Sequence, residues 1–482
     1  MTKHHGMTAL TGMAAYCKRS HSPTREDRFG RMFPNLSPAY VPANLLAAIG
    51  RKDGPMDGQA GKATSVPVGQ VIFGQFIDHD ITLDTSSGIR RVNTAEETPN
   101  VRTPTMDLDC IYGSGPEAHA YLYSQTAPFS GVKLLTGADM PGATQAQQND
   151  LMRAPNGRAI IGDHRNDENR VVSQMQLAMI KFHNQIVDAL HADPATTLEG
   201  HDLFEEARRV VTWHYQWAVV NDFLVDMCGG AVVNEILGCG RQHYCPDGGP
   251  FIPIEFAVAA YRFGHSMVPM QIQVHSGGGH HRFFGDVLGT GFSPVASTDA
   301  VIDWREVFFE PDKTGVQRAE KLDTQMAGDL LKLPFIDDPK LNSLATRNLL
   351  RGNSFLLPGG EKVAEAMGRP QAEIDTVMAR IQEISQQAIA SSGVDAGPIT
   401  KGAPLWLYIL AEAEVIGRET APGAFDPGEG LGPVGARIVA EVLIGLLELD
   451  EHSYLGADRN WTPDTTHDSI GKIMVSTNAG IF

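Results

Sequence analysis

The chain has 482 residues, 42% hydrophobic and 20% charged, which is enough for a large core in an ordinary globular protein. Its 57 acidic and 39 basic residues give a formal charge of −18, which argues against a nucleic-acid partner and against anchoring to anionic lipid. The five cysteines, Cys17, Cys110, Cys228, Cys239 and Cys245, form no CxxC pair and disfavour both a disulfide scaffold and a thiolate zinc site.

Residues 1–60, rich in Gly, Pro and Arg with little periodicity, read as an extended arm wrapped on the core, with 61–482 as one domain. The first residues lack the uninterrupted apolar stretch of a secretory signal, and no run reaches the length of a membrane span. The expectation is a soluble chain without a membrane partner, cytoplasmic or secreted without a leader. Next comes SVPVGQVIFGQFIDHDITLD, residues 65–84, mostly apolar until it gathers Gln75, Asp78, His79 and Asp80. If Val71–Leu83 is helical, Gln75, Asp78 and His79 share a face at i, i+3, i+4, and Asp80 points elsewhere. Spacing alone fits a solvated stripe as well as it fits a site.

Residues 84–160 are loop-rich, and from 168 onward helical patterns dominate. Three- and four-residue apolar spacing predicts helices over 171–190, 204–227, 254–268, 374–390, 403–417 and 432–450. Alternating strand patterns are scarce, so the fold is expected to be mainly α. The stretch GGGHHRFF, residues 277–284, lacks the spacing of a phosphate loop and reads as a surface turn. The pairs His4–His5 and His280–His281 read as solvated.

Four further stretches carry candidate chemistry. RTPTMDLDCIYGSG, residues 102–115, alternates Thr103, Thr105, Asp107 and Asp109, and Pro104 works against a helix. Such a set of hard oxygens suits Ca²⁺ better than Mg²⁺ or zinc, although a solvated acidic loop fits the same residues. In GDHRNDENRVV, Arg165 and Glu168 lie i, i+3, a spacing that also makes a surface ion pair. In EFAVAAYRFGHSMV, His265 sits in an expected long apolar helix, where a hydrogen-bonded core histidine is the plain alternative to a metal ligand. RNLLRG places Asn348 and Arg351 one turn apart.

In order along the chain these pieces read GQ-x-x-DHD, T-x-x-x-D-x-[SD]-x-x-YG, R-x-x-E, YRFGH and N-x-x-R, spanning residues 75–351. Together they resemble the animal-type haem peroxidases of the peroxidase–cyclooxygenase superfamily, including myeloperoxidase, lactoperoxidase and bacterial relatives. The segments LPGG and ETAPGAFDPGEGLGPVGARIVAEVLIG share the likeness, so it covers most of the chain. It implies a single haem peroxidase domain over 61–482, with a helical core around a buried haem and long irregular loops.

The resemblance assigns roles residue by residue. Gln75, His79 and Arg165 match the distal pocket, where a neutral histidine moves the proton of H₂O₂ and the arginine stabilises developing charge. His265 matches the axial ligand of haem b iron, Asn348 the asparagine that accepts a hydrogen bond from its other ring nitrogen, and Arg351 a propionate partner. Asp78 and Glu168 match two carboxylates that form esters to haem. Asn169 stands where myeloperoxidase has a sulfonium-forming methionine. Asp80, Thr103, Thr105, Asp107 and Asp109 match a calcium site. The implied activity is peroxide reduction with oxidation of bromide, iodide, thiocyanate or phenols through compound I. A fatty-acid dioxygenase of the same superfamily is the alternative, with Tyr261 four residues before His265 as its candidate radical residue. A haem-bearing adhesion or structural protein is the third reading.

Overall fold

The computed structural model describes residues 27–289, 291–308 and 316–478. It is a mainly α structure, and the sheets among the described residues are four two-stranded pairs. The main helices are α1 (Ala43–Gly50), α2 (Val68–Ile81), α3 (Arg170–Ala192), α4 (Gly200–Ala218), α5 (Leu344–Ser354), α6 (Gln371–Ser392), α7 (Leu405–Val415), α8 (Pro433–Glu448) and α9 (Ile470–Ser476). Helices α7 and α8 are apolar nearly all round and form the centre of the core, as such composition requires.

Helix α2 begins directly after Pro67 and ends where Thr82 turns extended, its backbone N–H and hydroxyl both donating to the Asp78 carbonyl. It packs against α3 and the segment around His265. Close approach at its centre depends on Gly74, where an added Cβ would lie 2.8 Å from the Phe223 ring. Helix α3 starts at Asn169, whose side-chain oxygen accepts from the Val172 N–H at 2.9 Å.

Two expectations change. The arm read as extended contains α1, whose Leu45, Leu46 and Ile49 are buried against α5 and α6. Eight residues are too few for periodicity to stand out in a sequence. Residues 1–26, with His4, His5 and Cys17, lie outside the described residues. After Phe29 the chain is pinned by the buried Glu255 carboxylate, which accepts from the N–H groups of Met32 (3.0 Å) and Phe33 (3.2 Å).

The second change is at 254–268, which is no uniform helix. A π turn (Glu255–Ala259) gives way to a 3₁₀ turn (Ala260–Phe263) and one α turn (Gly264–Met267), with the break at Ala259. Apolar spacing does not report such shifts in hydrogen-bond register. The helix expected over 204–227 likewise passes through a π turn at Val219–Phe223. The 277–284 stretch is the turn and second strand of a small hairpin, pairing Gln271–Gln273 with His280–Arg282. No helix among the described residues is long and apolar enough to cross a membrane.

Candidate active site

A cavity of about 640 Å³ opens between α2, the Arg165–Glu168 turn, the Tyr261–His265 segment and α5. Its wall is largely apolar, and Gln75, Asp78, His79, Arg165, Glu168, Arg262, His265, Arg347 and Arg351 all reach it. The i, i+3, i+4 face of α2 is therefore the cavity face. Asp80 is absent from that wall, pointing elsewhere as its spacing predicts, and its Oδ2 accepts from the Leu108 N–H of the 103–109 loop at 3.3 Å.

His79 is 5% exposed, and its Nδ1 lies 2.7 Å from the Asn166 side-chain oxygen. The Asn166 amide nitrogen donates to Gln176 at 2.8 Å, and the Gln176 amide donates to the Cys110 carbonyl at 2.9 Å. This relay fixes which way each amide faces, so Nδ1 of His79 must be the donor and Nε2 carries the lone pair. Burial, and then the Arg165 charge, push the His79 pKa down to about 3, which keeps the ring neutral. Nothing in residue spacing singled out Asn166 or Gln176.

Arg165 donates to both oxygens of Asp163 and, at 3.0 Å, to the His79 carbonyl. Asp163 is fully buried and also pairs with Arg102 at 2.6 Å. Against the cost of burial, the Arg165 hydrogen bonds and the charges of Arg165 and Arg102 hold its carboxyl well below the usual range. Glu168 accepts from the Gln75 amide, and Asn169 donates to the Gln75 oxygen at 3.4 Å. Lodged against the cavity wall, the Glu168 carboxyl is pushed up to about 7 by burial, with Arg165 opposing. Asp78 is raised by burial too, with Arg165 and Arg262 opposing, and accepts from the Thr82 hydroxyl at 2.9 Å.

On the opposite wall His265 meets Asn348, but not in the expected sense. The Asn348 amide nitrogen lies 2.9 Å from Nδ1, while its oxygen accepts from Arg262 at 3.0 Å. A guanidinium can only donate, so it claims the amide oxygen and turns the NH₂ toward the ring. Nδ1 is then the accepting nitrogen. His265 would offer Nε2 to a metal once its ring proton moves to Nδ1 and the Asn348 amide turns its oxygen toward it, the contact that raises ligand basicity. Burial, then Arg262, lower the His265 pKa to about 3. Arg262 stands inside the YRFGH motif, yet only the fold reveals its contact with α5. Arg351 donates to the Ser87 hydroxyl and lies 3.9 Å from Asp84, and Arg347, one turn earlier, reaches the same cavity. The residues fit haem: an apolar slot, an imidazole with Nε2 at the cavity, and two arginines suited to carboxylates.

Behind α2, ligand oxygens of Asp80, Asp107 and Asp109 lie within 4.8 Å of one another. Asp80 is fully buried, and its Oδ1 and the Thr105 hydroxyl have no hydrogen-bond partner. The Thr103 hydroxyl lies 3.3 Å from Asp107 and 3.4 Å from Asp109, whose other oxygen pairs with Arg102 at 3.1 Å. Leu108, left-handed at φ 57°, lets the loop fold back over Asp80. Orphaned hard oxygens among three carboxylates fit a cation of the calcium kind.

A family model described as animal haem peroxidase matches residues 85–370. Chorion peroxidase of Drosophila melanogaster is 28% identical over 282 residues, 56% of this chain and 34% of that one. Rat (Rattus norvegicus) thyroid peroxidase is 24% identical over 355 residues, 67% of this chain and 36% of that one. The chain thus spans about a third of the length of these relatives. Peroxidase A from Dictyostelium discoideum shares the fold at a TM-score of 0.58 and 15% identity, covering 94% of this chain and 92% of that one. A fatty acid alpha-dioxygenase of Arabidopsis thaliana shares it equally, at 0.58 and 16% identity, covering 94% and 76%.

Proposed function

Since the chain belongs to the animal haem peroxidase family, we propose that it is a peroxidase that reduces H₂O₂ and oxidises small donors such as bromide, iodide, thiocyanate or phenols. The observation that carries this reading is the pairing across one cavity of a neutral His79, its Nδ1 tied to Asn166, with His265, its Nδ1 tied to Asn348. His265 would hold the iron of haem b, with Arg351 and Arg347 at its carboxylates, and the haem would supply the redox chemistry.

The chain's own groups handle the protons and charge. Nε2 of His79 takes the proton of a peroxide in the cavity and returns it to the leaving oxygen, a transfer that requires the neutral ring. Arg165, held by Asp163, presents a permanent positive charge to the negative charge that develops during cleavage. Gln75, fixed by Glu168 and Asn169, keeps an amide at the cavity wall beside His79. Asp80, Thr103, Thr105, Asp107 and Asp109 hold calcium and so fix the end of α2 that carries His79.

The test is a Soret spectrum of purified protein before and after H₂O₂. His265→Ala loses tightly held haem. His79→Ala keeps it but reacts with peroxide at least about a hundredfold more slowly, within the range for lost general acid–base catalysis. Full haem retention in the first variant, or a wild-type rate in the second, refutes the assignment.

A second reading rests on Tyr261, whose buried hydroxyl lines the cavity without a hydrogen-bond partner. That is a position from which a tyrosyl radical could act on a fatty acid. Oxygen uptake with a polyunsaturated fatty acid in the absence of peroxide, abolished by Tyr261→Phe, would favour it.

A further inference from the structure

Away from the haem cavity, two histidines and a carboxylate converge where the 458–469 loop crosses α4. His214, on α4, is 5% exposed, and its Nδ1 lies 2.7 Å from the Val210 carbonyl. A carbonyl only accepts, so Nδ1 carries the ring proton and Nε2 is left with the lone pair. That Nε2 is buried and has no hydrogen-bond partner. Buried polar atoms are rarely left so, and each such atom calls for an explanation.

The loop supplies what faces it. Oδ2 of Asp464 lies 3.9 Å from His214 Nε2 and 3.3 Å from His467 Nδ1. The other oxygen, Oδ1, is occupied by the Thr466 backbone N–H at 2.8 Å and by the Thr466 hydroxyl. Oδ2 is therefore turned between the two rings, and one ligand atom from each of the three residues lies within 4.8 Å of the others. The surround is aromatic: Phe182 stands 5.8 Å from the His214 ring and 5.2 Å from His467, and Trp461 stands 5.1 Å from His214.

Distance separates the two ways of reading this cluster. A charge-assisted N–H···O contact closes to roughly 2.7–2.9 Å. The edge of a zinc tetrahedron with bonds of about 2.0–2.1 Å is about 3.3 Å. The Asp464–His467 separation equals that edge, metal binding would replace the 3.0 Å contact between His467 Nδ1 and the Thr466 hydroxyl, and the His214 contact would close from 3.9 Å. The Nδ1–H···O=C bond of His214 is also the arrangement that orients a metal-binding imidazole.

We propose that His214, Asp464 and His467 bind a divalent transition metal of the zinc class, with water in the fourth position, stapling the 458–469 loop to α4. Two imidazoles and one carboxylate suit zinc, whereas calcium takes six to eight oxygens and finds too few here. The site is separate from both the haem cavity and the Asp80 cluster.

The experiment uses haem- and calcium-loaded protein stripped of transition metals and titrated calorimetrically with Zn²⁺. Wild type should take up one more equivalent than Asp464→Asn or His467→Gln, or bind that equivalent at least tenfold more tightly, with peroxidase turnover the same in all three. Equal uptake and affinity in all three proteins overturns the site. A zinc-edge X-ray absorption spectrum of loaded wild type needs no variant, and haem iron does not interfere with it. Imidazole scattering at tetrahedral bond lengths is expected, and a shell of oxygens alone overturns the proposal.

Discussion

Asn166 holds His79 in one tautomer: its side-chain oxygen sits 2.7 Å from the ring Nδ1, and its own amide is committed to Gln176. Replacing it should affect chemistry more than haem binding. Asn166→Ala removes the acceptor and lets the ring proton redistribute to Nε2, the nitrogen that must accept from peroxide. The expected result is a drop of about tenfold to a hundredfold in the rate of reaction with H₂O₂, at or below the low end of general acid–base effects because the base itself remains. Stopped-flow absorbance measures that rate and the Soret band measures haem content. A loss confined to haem content would place Asn166 in folding instead.

Calcium should be integral to the folded protein. Asp80, Asp107 and Asp109 bring three carboxylates together around unpartnered oxygens, an arrangement that repels itself without a cation. Elemental analysis of extensively dialysed protein should find close to one calcium per chain. Strong chelation should lower the thermal midpoint and the peroxide reaction together, because Asp80 adjoins His79 on α2. Active protein free of calcium would contradict this.

Helical arithmetic made the shared faces legible in the sequence, and the resemblance to the peroxidases, not spacing, made them a site. The i, i+3, i+4 face of α2 put Gln75, Asp78 and His79 on the cavity, and the single turn of α5 put Asn348 and Arg351 together. What escaped is held by contacts between distant segments. Asn166 reaches His79 across 87 positions, and Arg262 reaches Asn348 across 86. No local spacing encodes such a contact. The π and 3₁₀ turns before His265 escaped for another reason: side-chain hydrophobicity is blind to backbone register. Helix α1 was hidden by its brevity.

The pH dependence of stability should carry the mark of Glu412. This α7 carboxylate is 3% exposed and accepts from the N–H groups of Val434 (3.0 Å) and Gly435 (3.3 Å) at the start of α8. Burial is the largest influence and raises its pKa from 4.5 to about 8, against those hydrogen bonds. A raised folded-state value means the stabilisation is complete below the unfolded pKa and is lost as pH climbs through 8. Glu412→Gln removes the titration. Its thermal midpoint should therefore fall less than that of wild type between about pH 6 and about pH 9. Parallel curves would mean that Glu412 is already ionised in the fold.

The last prediction concerns the carboxylates at the haem edge and the residue beside one of them. Asp78 and Glu168 line the cavity and match the two ester-forming carboxylates of the family, so the expectation is haem ester-linked to them, at least after exposure to peroxide. Mass spectrometry of denatured protein should show the chain with haem attached, and Asp78→Asn or Glu168→Gln should each remove one link. Apoprotein mass with free haem would rule the esters out. Asn169, next to Glu168, cannot form a sulfonium bond, and here it caps α3 through its bond to the Val172 N–H. Without that electron-withdrawing cation, the protein should oxidise bromide readily and chloride poorly at neutral pH. Equal steady-state rates for the two halides would overturn this. Asn169→Met separates the two duties of the position. It offers a thioether to the haem but removes the cap, which should cost about 1 kcal/mol of stability. Denaturant unfolding reads that loss, and an unchanged midpoint would show that the cap carries no stability.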